Sequence, residues 1–241
     1  MAIEYAFTTY SGSRDYNEDY GLAMQTEKGD CYMVADGLGG HGKGELASAS
    51  VCESAARLFR SGEAAVCVEE LFEIAQKELL ARQMREHAVD AMKTTMNIVL
   101  IVDGIAYWGH VGDTRTYYFK KNKLVRRTKD HSVPQMLVAM GEIKERNIRH
   151  HPDRNRLLKV MGIEWDKPQY VIETAVKLEK KQAFLMCTDG FWEYIEDKDM
   201  EKCLKKAKSP QEWLDAMNEI VRENGAGADL DNYTAMAVWI Q

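Results

Sequence analysis

Apolar residues occur along this chain in short runs of strand length, each bounded by glycine or by charged residues. The runs are rich in valine, isoleucine and aromatic side chains, a composition typical of buried strands. Several of them follow each other closely between Gly104 and Phe119, which favours antiparallel pairing over strand–helix–strand units. The predicted strands are Cys31–Ala35, Ile98–Val102, Ile105–Val111, Thr116–Phe119, Ala183–Cys187 and Thr234–Ile240.

Helical spacing of apolar residues appears between these runs. The pattern predicts one helix over Glu45–Phe59 and a second over Leu71–His87. The buried positions of the second helix are predicted to be Leu71, Ile74, Leu79 and Met84.

A third helix is predicted to begin after Ser209. Serine is a favoured N-cap, Pro210 suits the first helical position, and Glu212 completes a capping box. The predicted buried face consists of Trp213, Met217, Ile220 and Val221.

Residues 131–168 differ from the rest of the chain. They contain few β-branched residues and many charged ones, with His150, His151 and Pro152 near their middle. We expect a mostly helical excursion at the surface. The order of the other elements favours antiparallel sheets with helices packed outside them.

The composition indicates one folded domain. With 241 residues and 45% hydrophobic content, the chain can bury a sizeable core, so we expect a single domain over residues 1–241. The net charge of −6 argues against nucleic-acid binding. No signal-peptide pattern or membrane-length apolar run occurs. Five cysteines without a CxxC pair favour reduced thiols in the cytoplasm over disulfides or a zinc site.

An aspartate at the end of a predicted strand, followed by a glycine-rich loop, is the sharpest chemical feature. Asp36 follows Cys31–Ala35, and five glycines lie between Gly37 and Gly44. Glycines let backbone atoms approach a ligand closely, so the Asp36 side chain and the Gly37 carbonyl can each serve a cation. A tight strand-to-helix connection with a solvated aspartate explains the segment equally well, because short motifs have many false positives.

Four further acidic motifs lie at predicted strand ends in other parts of the chain. Each alone fits an ordinary turn, since Asp-Gly is a common turn pair. If all five sites converge, their charges repel unless cations neutralise them, and oxygen-only ligands select magnesium or manganese. The further motifs are Asn17-Glu18-Asp19, Gly112-Asp113-Thr114-Arg115, Asp189-Gly190 and Asp229-Leu230-Asp231.

Seven motifs in order along nearly the whole chain resemble those of the protein phosphatase 2C-like (PPM) metal-dependent phosphatases, especially the compact bacterial members. Seven ordered motifs are far more specific than any one of them. They are Arg14-x-x-Asn17-Glu18-Asp19, Val34-Ala35-Asp36-Gly37-Leu38-Gly39-Gly40-His41, Val111-Gly112-Asp113-Thr114-Arg115, Lys129-Asp130-His131-Ser132, His151-Pro152-x-Arg154-Asn155, Cys187-Thr188-Asp189-Gly190-Phe191-Trp192 and Asp231-Asn232-Tyr233-Thr234.

The resemblance implies an α+β fold, an α-β-β-α sandwich of two packed antiparallel sheets flanked by helices. The excursion 131–168 then corresponds to a small helical flap beside the active site. The implied enzyme is a protein serine/threonine phosphatase, a phosphoric monoester hydrolase. It would cleave phosphoserine and phosphothreonine by attack of a metal-activated water, without a covalent intermediate, using two Mn²⁺ or Mg²⁺ ions.

The resemblance also implies roles for individual residues. Asp36 would bridge the two ions, and Asp189 and Asp231 would complete the protein ligands of the first. The Gly37 carbonyl would bind the second ion.

Two neighbouring acids, Glu18 and Asp19, would bind that second ion directly or through water, and the resemblance leaves open which of them is the direct ligand. Asp113 would hold a third, weaker ion. Arg14 would grip the phosphate, since a guanidinium matches its oxygens bidentately. His41 is a candidate general acid for the leaving oxygen, although a hydrogen-bonding role in the glycine loop is the simpler interpretation.

Some positions depart from the family pattern. Lys93-Thr94-Thr95 stands where Gly-Thr-Thr is usual, Leu38 stands where methionine is common, and the helical region before Met92 is short. None of these changes removes a proposed ligand, so we expect an active enzyme. We expect Arg115 to pair with a nearby carboxylate.

Two alternatives remain at this point: a nuclease or other phosphoryl-transfer enzyme, and a pseudophosphatase that binds phosphoproteins without turnover. The resemblance favours phosphorylated protein substrates, with a serine/threonine kinase and its targets as partners. We expect a cytoplasmic monomer that binds neither nucleic acid nor membrane.

Overall fold

The structure is a computed structural model that describes residues 1–39, 43–61, 67–89 and 91–241. One of its two sheets has five strands, all paired antiparallel. In spatial order they are β1 (Ile3–Tyr10), β12 (Tyr233–Ile240), β11 (Gln182–Cys187), β7 (Arg115–Lys120) and β8 (Lys123–Arg127).

The second sheet is also antiparallel and has seven strands. Its main path runs through β10 (Val176–Lys177), β6 (Ile105–Val111), β5 (Met96–Val102), β3 (Gly29–Leu38) and β2 (Asp19–Thr26). The short strands β4 (Lys93–Thr94) and β9 (Val171–Ile172) pair with β3 and β6.

Two helical layers cover the outer faces of the sheets. Helices α1 (Gly44–Ser61) and α2 (Val68–Arg85) pack on the seven-stranded sheet. Helices α5 (Asp197–Lys206) and α6 (Pro210–Asn224) pack on the five-stranded sheet. The remaining helical pieces are α3 (Val133–Ala139), a 3-10 helix (Glu145–His150) and the short α4 (Asp189–Trp192).

Strand β3 illustrates how the sequence produces these four layers. Its side chains alternate between two apolar environments, as side chains on a strand must. Tyr32 and Val34 point between the sheets, whereas Cys31, Met33 and Ala35 pack under the α1–α2 layer. Both faces are buried, which explains why the sequence shows a continuous apolar run there. The predicted α-β-β-α sandwich is confirmed.

The six predicted strands are all present, with ends that differ by no more than a few residues. Strands β1 and β2 were not predicted, because their side chains alternate with many half-buried or exposed positions. Helix α5 was also not predicted. It is mostly charged and buries only Met200, Cys203 and Leu204.

The first two helices lie where they were predicted, but two of the four predicted buried positions of the second helix are wrong, because Ile74 is only half-buried and Met84 is exposed. Met84 is 74% exposed, and Gln83 takes the buried position instead. The Gln83 side-chain nitrogen donates to the carbonyls of Met92 and Gly162 at 2.6 and 2.7 Å. A buried amide with two acceptors is as acceptable there as an apolar side chain.

Helix α6 begins where it was predicted, but only half of the predicted capping box forms, because the Glu212 carboxylate accepts from the Lys208 N–H at 2.9 Å instead of from the Ser209 N–H. The Ser209 hydroxyl accepts from the Glu212 backbone N–H at 3.1 Å, and Pro210 opens the helix. Trp213, Met217 and Val221 are buried.

The excursion 131–168 contains α3 and the 3-10 helix, joined by irregular chain. An isolated bridge from Thr94 to Met161 anchors it to the body, and a second bridge, from Ser132 to Leu157, joins two parts of the excursion itself. Across the described ranges, no helix combines the length and hydropathy needed to cross a membrane. All five cysteines are free thiols, as predicted.

Candidate metal centre

The predicted acidic residues lie at one end of the sandwich. In an antiparallel sheet the start of one strand meets the end of its neighbour, so Asp19 at the start of β2 pairs with Asp36 near the end of β3. Asp113 precedes β7, Asp189 follows β11, and Asp231 precedes β12. A cavity of about 720 Å³ opens between these strand ends.

Most predicted site residues line this cavity. They are Arg14, Glu18, Asp36, Gly37, Asp113, Asp189 and Asp231. Asp19 is buried beside the cavity and does not belong to its lining. His41 lies outside the described residues, so its predicted role stays a prediction.

The backbone of Asp36 is held from strand β4 and the residue that follows it. The Thr95 hydroxyl accepts from the Asp36 N–H at 2.9 Å, and the Thr94 hydroxyl donates to the Asp36 carbonyl at 2.7 Å. The Thr95 N–H donates to the same carbonyl at 2.9 Å. These bonds fix the direction in which the Asp36 side chain leaves the strand. Lys93 lies half-buried in β4 and pairs with Leu38, so this departure from the family pattern lies next to the site.

The glycines after Asp36 make room for Glu18. A Cβ atom on Gly39 would overlap the Glu18 carboxylate, and one on Gly37 would overlap the Gly44 carbonyl. The Gly37 N–H donates to the Glu18 carbonyl at 3.1 Å. The glycines thus admit a carboxylate of the chain itself, and the approach of this loop to a ligand stays a prediction.

One oxygen of Asp19 lacks a partner. Its Oδ2 accepts from the Thr188 hydroxyl at 2.9 Å, whereas the buried Oδ1 has no hydrogen-bond donor among the described residues. Burial, together with the nearby charges of Asp231 and Glu18, raises the pKa of Asp19 to about 7. A buried carboxylate oxygen normally has a donor or a cation beside it.

Mutual repulsion affects the other carboxylates too. Burial and the charges of Asp19 and Asp189 raise the pKa of Asp36 well above its ordinary value. Burial and the charge of Asp130 raise the pKa of Asp113 to about 7. The pKa of Asp189 is raised by burial and by Asp113. Such a set of carboxylates is stable at neutral pH when cations neutralise it.

Arg14 provides a positive charge at the rim of the cavity. Its guanidinium donates to both carboxylate oxygens of Asp231, at 3.1 and 3.2 Å, and lies 3.3 Å from a carboxylate oxygen of Asp229. The hydrogen bonds and charge of Asp231 raise the pKa of Arg14.

In the parts of the chain that the structure describes, no three acidic, histidine or cysteine side chains are gathered around one point as an ion requires.

A network of buried side chains holds the backbone of Asp113 on the side away from the cavity. The Trp192 indole donates to the Asp113 carbonyl at 3.0 Å, and the Arg115 guanidinium lies 3.4 Å from the centre of the Trp192 ring. Arg115 pairs with Asp130 through two bonds of 2.8 and 2.6 Å. The predicted pairing of Arg115 with a carboxylate is therefore confirmed.

Sequence reasoning missed the structural role of Asn232. Its side chain donates to the carbonyls of Ser11 and Tyr16 at 2.9 and 2.8 Å and accepts from the Glu18 N–H at 2.8 Å. It thereby joins the loop before β2 to the loop before β12. Its position directly after Asp231 in the last motif was the available signal.

The flap also contributes to the cavity, through Asn155 and Leu157. Tyr16 lines the cavity as well and is 79% exposed. None of these three residues was predicted as part of the site. Asn155 belongs to a matched motif, whereas the other two have no signal in the pattern.

The donor chemistry fits hard divalent cations. The candidate ligands are carboxylate oxygens and one backbone carbonyl, the kind of set that magnesium and manganese prefer. The unpartnered Asp19 Oδ1 and the raised pKa values point the same way, because both mark uncompensated negative charge.

Comparisons with known proteins agree with the family resemblance of the motifs and cover most of the chain. Residues 11–233 match the sequence model of the family described as Protein phosphatase 2C. A curated relative, the serine/threonine phosphatase stp of Listeria welshimeri, is 28% identical over 234 residues, which cover 93% of this chain and 90% of the relative. The serine/threonine protein phosphatase PstP of Mycobacterium tuberculosis is 26% identical over 196 residues, covering 78% of this chain and 38% of PstP.

Solved structures share the fold. Stp1 from Staphylococcus aureus superimposes with a TM-score of 0.86 at 25% identity and covers 100% of this chain and 96% of Stp1. The catalytic domain of PstP in complex with two manganese ions has a TM-score of 0.83 at 23% identity and covers 98% of this chain and 97% of that domain. Since the family model spans most of the sequence and the acidic motifs meet in one cavity, the chain belongs to the protein phosphatase 2C family.

Proposed function

We propose that this chain, a metal-dependent serine/threonine protein phosphatase, hydrolyses phosphoserine and phosphothreonine in the cavity at the end of the sandwich, with two Mn²⁺ or Mg²⁺ ions as cofactors. One observation carries the proposal. Carboxylates from five separate segments converge on one cavity, and Arg14 is the single basic residue among the described residues that line it. A phosphate dianion would be repelled by such a surface unless cations were bound there.

Asp36 is proposed as a ligand that both ions would share; its backbone bonds to Thr94 and Thr95 and its place among the other acids of the cavity support this role. Asp189 and Asp231 are proposed as further ligands of the first ion. The Gly37 carbonyl is proposed for the second. Bound divalent cations neutralise phosphate charge and lower the pKa of a coordinated water so that it can serve as the nucleophile.

Different roles for Glu18 and Asp19 follow from their positions. Glu18 lines the cavity between the glycines, so it is the better candidate for direct contact with the second ion. Asp19 lies behind the lining and bonds Thr188, so we assign it to water-mediated contact. Asp113 lines the cavity and is proposed for a third, weaker ion.

Arg14 is the proposed phosphate-binding residue. Its guanidinium is fixed at the rim by Asp231 and Asp229, both of which are partly exposed. With Asp231 serving as an ion ligand, the guanidinium would be free to bind a phosphate, whose oxygens it matches bidentately. His41 is retained as a candidate proton donor to the leaving oxygen.

The substrates are proposed to be phosphorylated proteins in the cytoplasm, including a serine/threonine kinase and its targets, and the enzyme is proposed to act as a monomer. The curated relatives are named as serine/threonine phosphatases, which supports phosphoprotein substrates. The PstP structure with two manganese ions supports the choice of metal.

Hydrolysis of a phosphothreonine peptide tests the proposal. The protein is stripped of metal with a chelator, and manganese is then titrated into wild type, Asp36→Asn and a control, Asp215→Asn. Asp215 lies exposed on α6, so its replacement changes the charge equally without touching the cavity. We expect turnover that rises with manganese in wild type and the control, and a loss of several orders of magnitude in Asp36→Asn.

Absence of turnover at every manganese concentration, with the protein folded, would refute the enzymatic proposal and favour a phosphoprotein-binding module. Faster cleavage of a phosphodiester than of the phosphothreonine peptide would favour a nuclease-type enzyme instead.

A further inference from the structure

A second cavity lies at the opposite end of the five-stranded sheet from the metal centre. Strand β11 leads from Gln182 at this cavity to Cys187, next to Asp189. Six extended residues span roughly 20 Å. Strand β12 runs antiparallel beside it and brings Trp239 and Ile240 to the same end. The second cavity is therefore distinct from the metal centre.

This second cavity, of about 390 Å³, is here called the lysine cavity. Lys180, Lys181 and Lys205 line it, together with Leu204 and Trp239. Backbone bonds fix the turn that carries Lys180 and Lys181: the Lys181 N–H donates to the Ile240 carbonyl at 3.0 Å, and the Lys181 carbonyl accepts from the Lys121 N–H at 2.7 Å.

The surface around the lysine cavity is strongly basic. Residues 120–123, 177–181 and 202–208 contain ten lysines and one glutamate, in a chain whose net charge is −6. Lys120, Lys123 and Lys202 have acidic partners within 3 Å. The three lysines that line the cavity are exposed and have no ion pair within the described ranges.

Stabilisation of a helix end accounts for only one of the three lysines that line the cavity. Lys205 lies in the last turn of α5, where a positive charge complements the partial negative charge of the helix end. Lys180 and Lys181 come from a different segment, the turn that precedes β11, where no helix ends. Like charges from two separate segments on one cavity favour the binding of an anion there.

The floor of the lysine cavity is apolar. Ala183, Leu204 and Ile240 are at most 5% exposed, and Trp239 forms a half-buried wall. The indole nitrogen of Trp239 is buried and has no acceptor among the described residues. An occupant that matches this surface combines negative charge with an apolar side chain.

We propose that the lysine cavity is a docking site for an acidic segment of a protein partner, a stretch of aspartate and glutamate next to a leucine-like side chain. Its carboxylates match the three lysines, and its apolar side chain fits the floor. Nucleic acid fits less well, because single strands stack on exposed aromatic faces, whereas Trp239 packs against Trp213 with ring centres 6.3 Å apart.

Peptide binding tests the proposal independently of catalysis. A short fluorescein-labelled peptide, with aspartate and glutamate around a central leucine, is titrated with the whole chain, and anisotropy is measured at low and high salt. The test variant is Lys180→Glu with Lys205→Glu. Lys181 is left unchanged because its backbone φ of 65° is in the left-handed region. The control is Lys77→Glu with Lys167→Glu, two exposed lysines outside the lysine cavity.

We expect the test variant to weaken binding by about tenfold or more, since two attractive charges become repulsive. The control should bind as wild type does, and added salt should weaken wild-type binding. Lys180→Arg with Lys205→Arg should retain binding. All variants should hydrolyse a small phosphate ester at the wild-type rate, which shows that they are folded.

Three results would overturn the proposal. The first is equal binding by wild type and the test variant. The second is equal binding of a peptide with asparagine and glutamine in place of the acids. The third is a clear preference for phosphatidylserine vesicles or single-stranded DNA over the peptide, which would assign the lysine cavity to a lipid or nucleic-acid surface.

Discussion

Replacement of Asp19 by asparagine should stabilise the cation-free protein at neutral and alkaline pH. Asp19 is 8% exposed, and its pKa in the folded protein is about 7, against an ordinary value of 3.8. Between these two pH values the folded state binds more protons at Asp19 than the unfolded state does. The free energy of unfolding therefore falls as pH rises through this window and is constant above it.

The size of the effect follows from the same shift. A difference of about 3 pH units corresponds to roughly 4 kcal/mol of destabilisation above pH 7. For a chain of this length the unfolding entropy is about 0.5 kcal/mol per kelvin, so the change in Tm is roughly 8 °C. Asparagine keeps a hydrogen-bond acceptor for Thr188 and carries no charge. The variant should therefore not lose this free energy of unfolding as the pH rises.

The assay is thermal unfolding in a chelator at pH 5 and pH 8, for wild type, Asp19→Asn and the Asp215→Asn control. We expect Asp19→Asn to gain Tm relative to wild type at pH 8 and to gain much less at pH 5. Added manganese should stabilise wild type more than Asp19→Asn. If Asp19→Asn were equally destabilised at both pH values, the prediction would be refuted. The raised pKa of Asp19 would then not govern the stability of the cation-free protein.

Three further predictions concern the surroundings of the metal centre. Gly39→Ala should raise the manganese concentration needed for half-maximal activity by about tenfold, because the new Cβ overlaps the Glu18 carboxylate; an unchanged titration would contradict this. Arg115→Met should lower the free energy of unfolding in urea by about 3–5 kcal/mol, because the buried Asp130 loses both short bonds to its main partner and keeps only Arg127 among the described residues, at 3.5 Å. Burial and the charge of His110 lower the pKa of His131 to about 3, so the folded state binds fewer protons than the unfolded state below pH 6.5. Stability should therefore fall on acidification from pH 7 to pH 5, and His131→Gln should reduce that fall in urea titrations at the two pH values.

Strands that are buried on both faces could be predicted from the sequence, because their apolar runs are continuous. Cys31–Ala35 within β3 is the clearest case, since it packs against both neighbouring layers. The edge strand β1 could not be predicted in the same way, because one of its faces is largely exposed and its alternation is weak. Met84 was assigned to the core because periodicity cannot reveal that Gln83 finds two carbonyl acceptors in tertiary contacts.

The acidic residues of the cavity could also be predicted, because their motifs occur together and in the order that the family pattern requires, although each motif alone fits an ordinary turn. The residues that orient them could not. Thr95 and Asn232 act through hydrogen bonds to backbone groups, and such bonds leave no spacing pattern in the sequence. Other cavity residues that were not predicted, such as Tyr16 and Leu157, are positioned by loops whose paths depend on the folded body.

The place of β12 in the sheet has a consequence for how the protein is made. This strand, from the far end of the sequence, lies between β1 and β11, and Ile240 pairs with Ile3. Contacts of such long sequence separation form late and slowly. The ribosome must therefore release residue 240 before the first sheet can close and before Asn232 can join the two loops of the metal centre. Nascent chains should thus have no complete site until residue 240 has emerged, and until then the uncovered edges of β1 and β11 are exposed to aggregation and to chaperones.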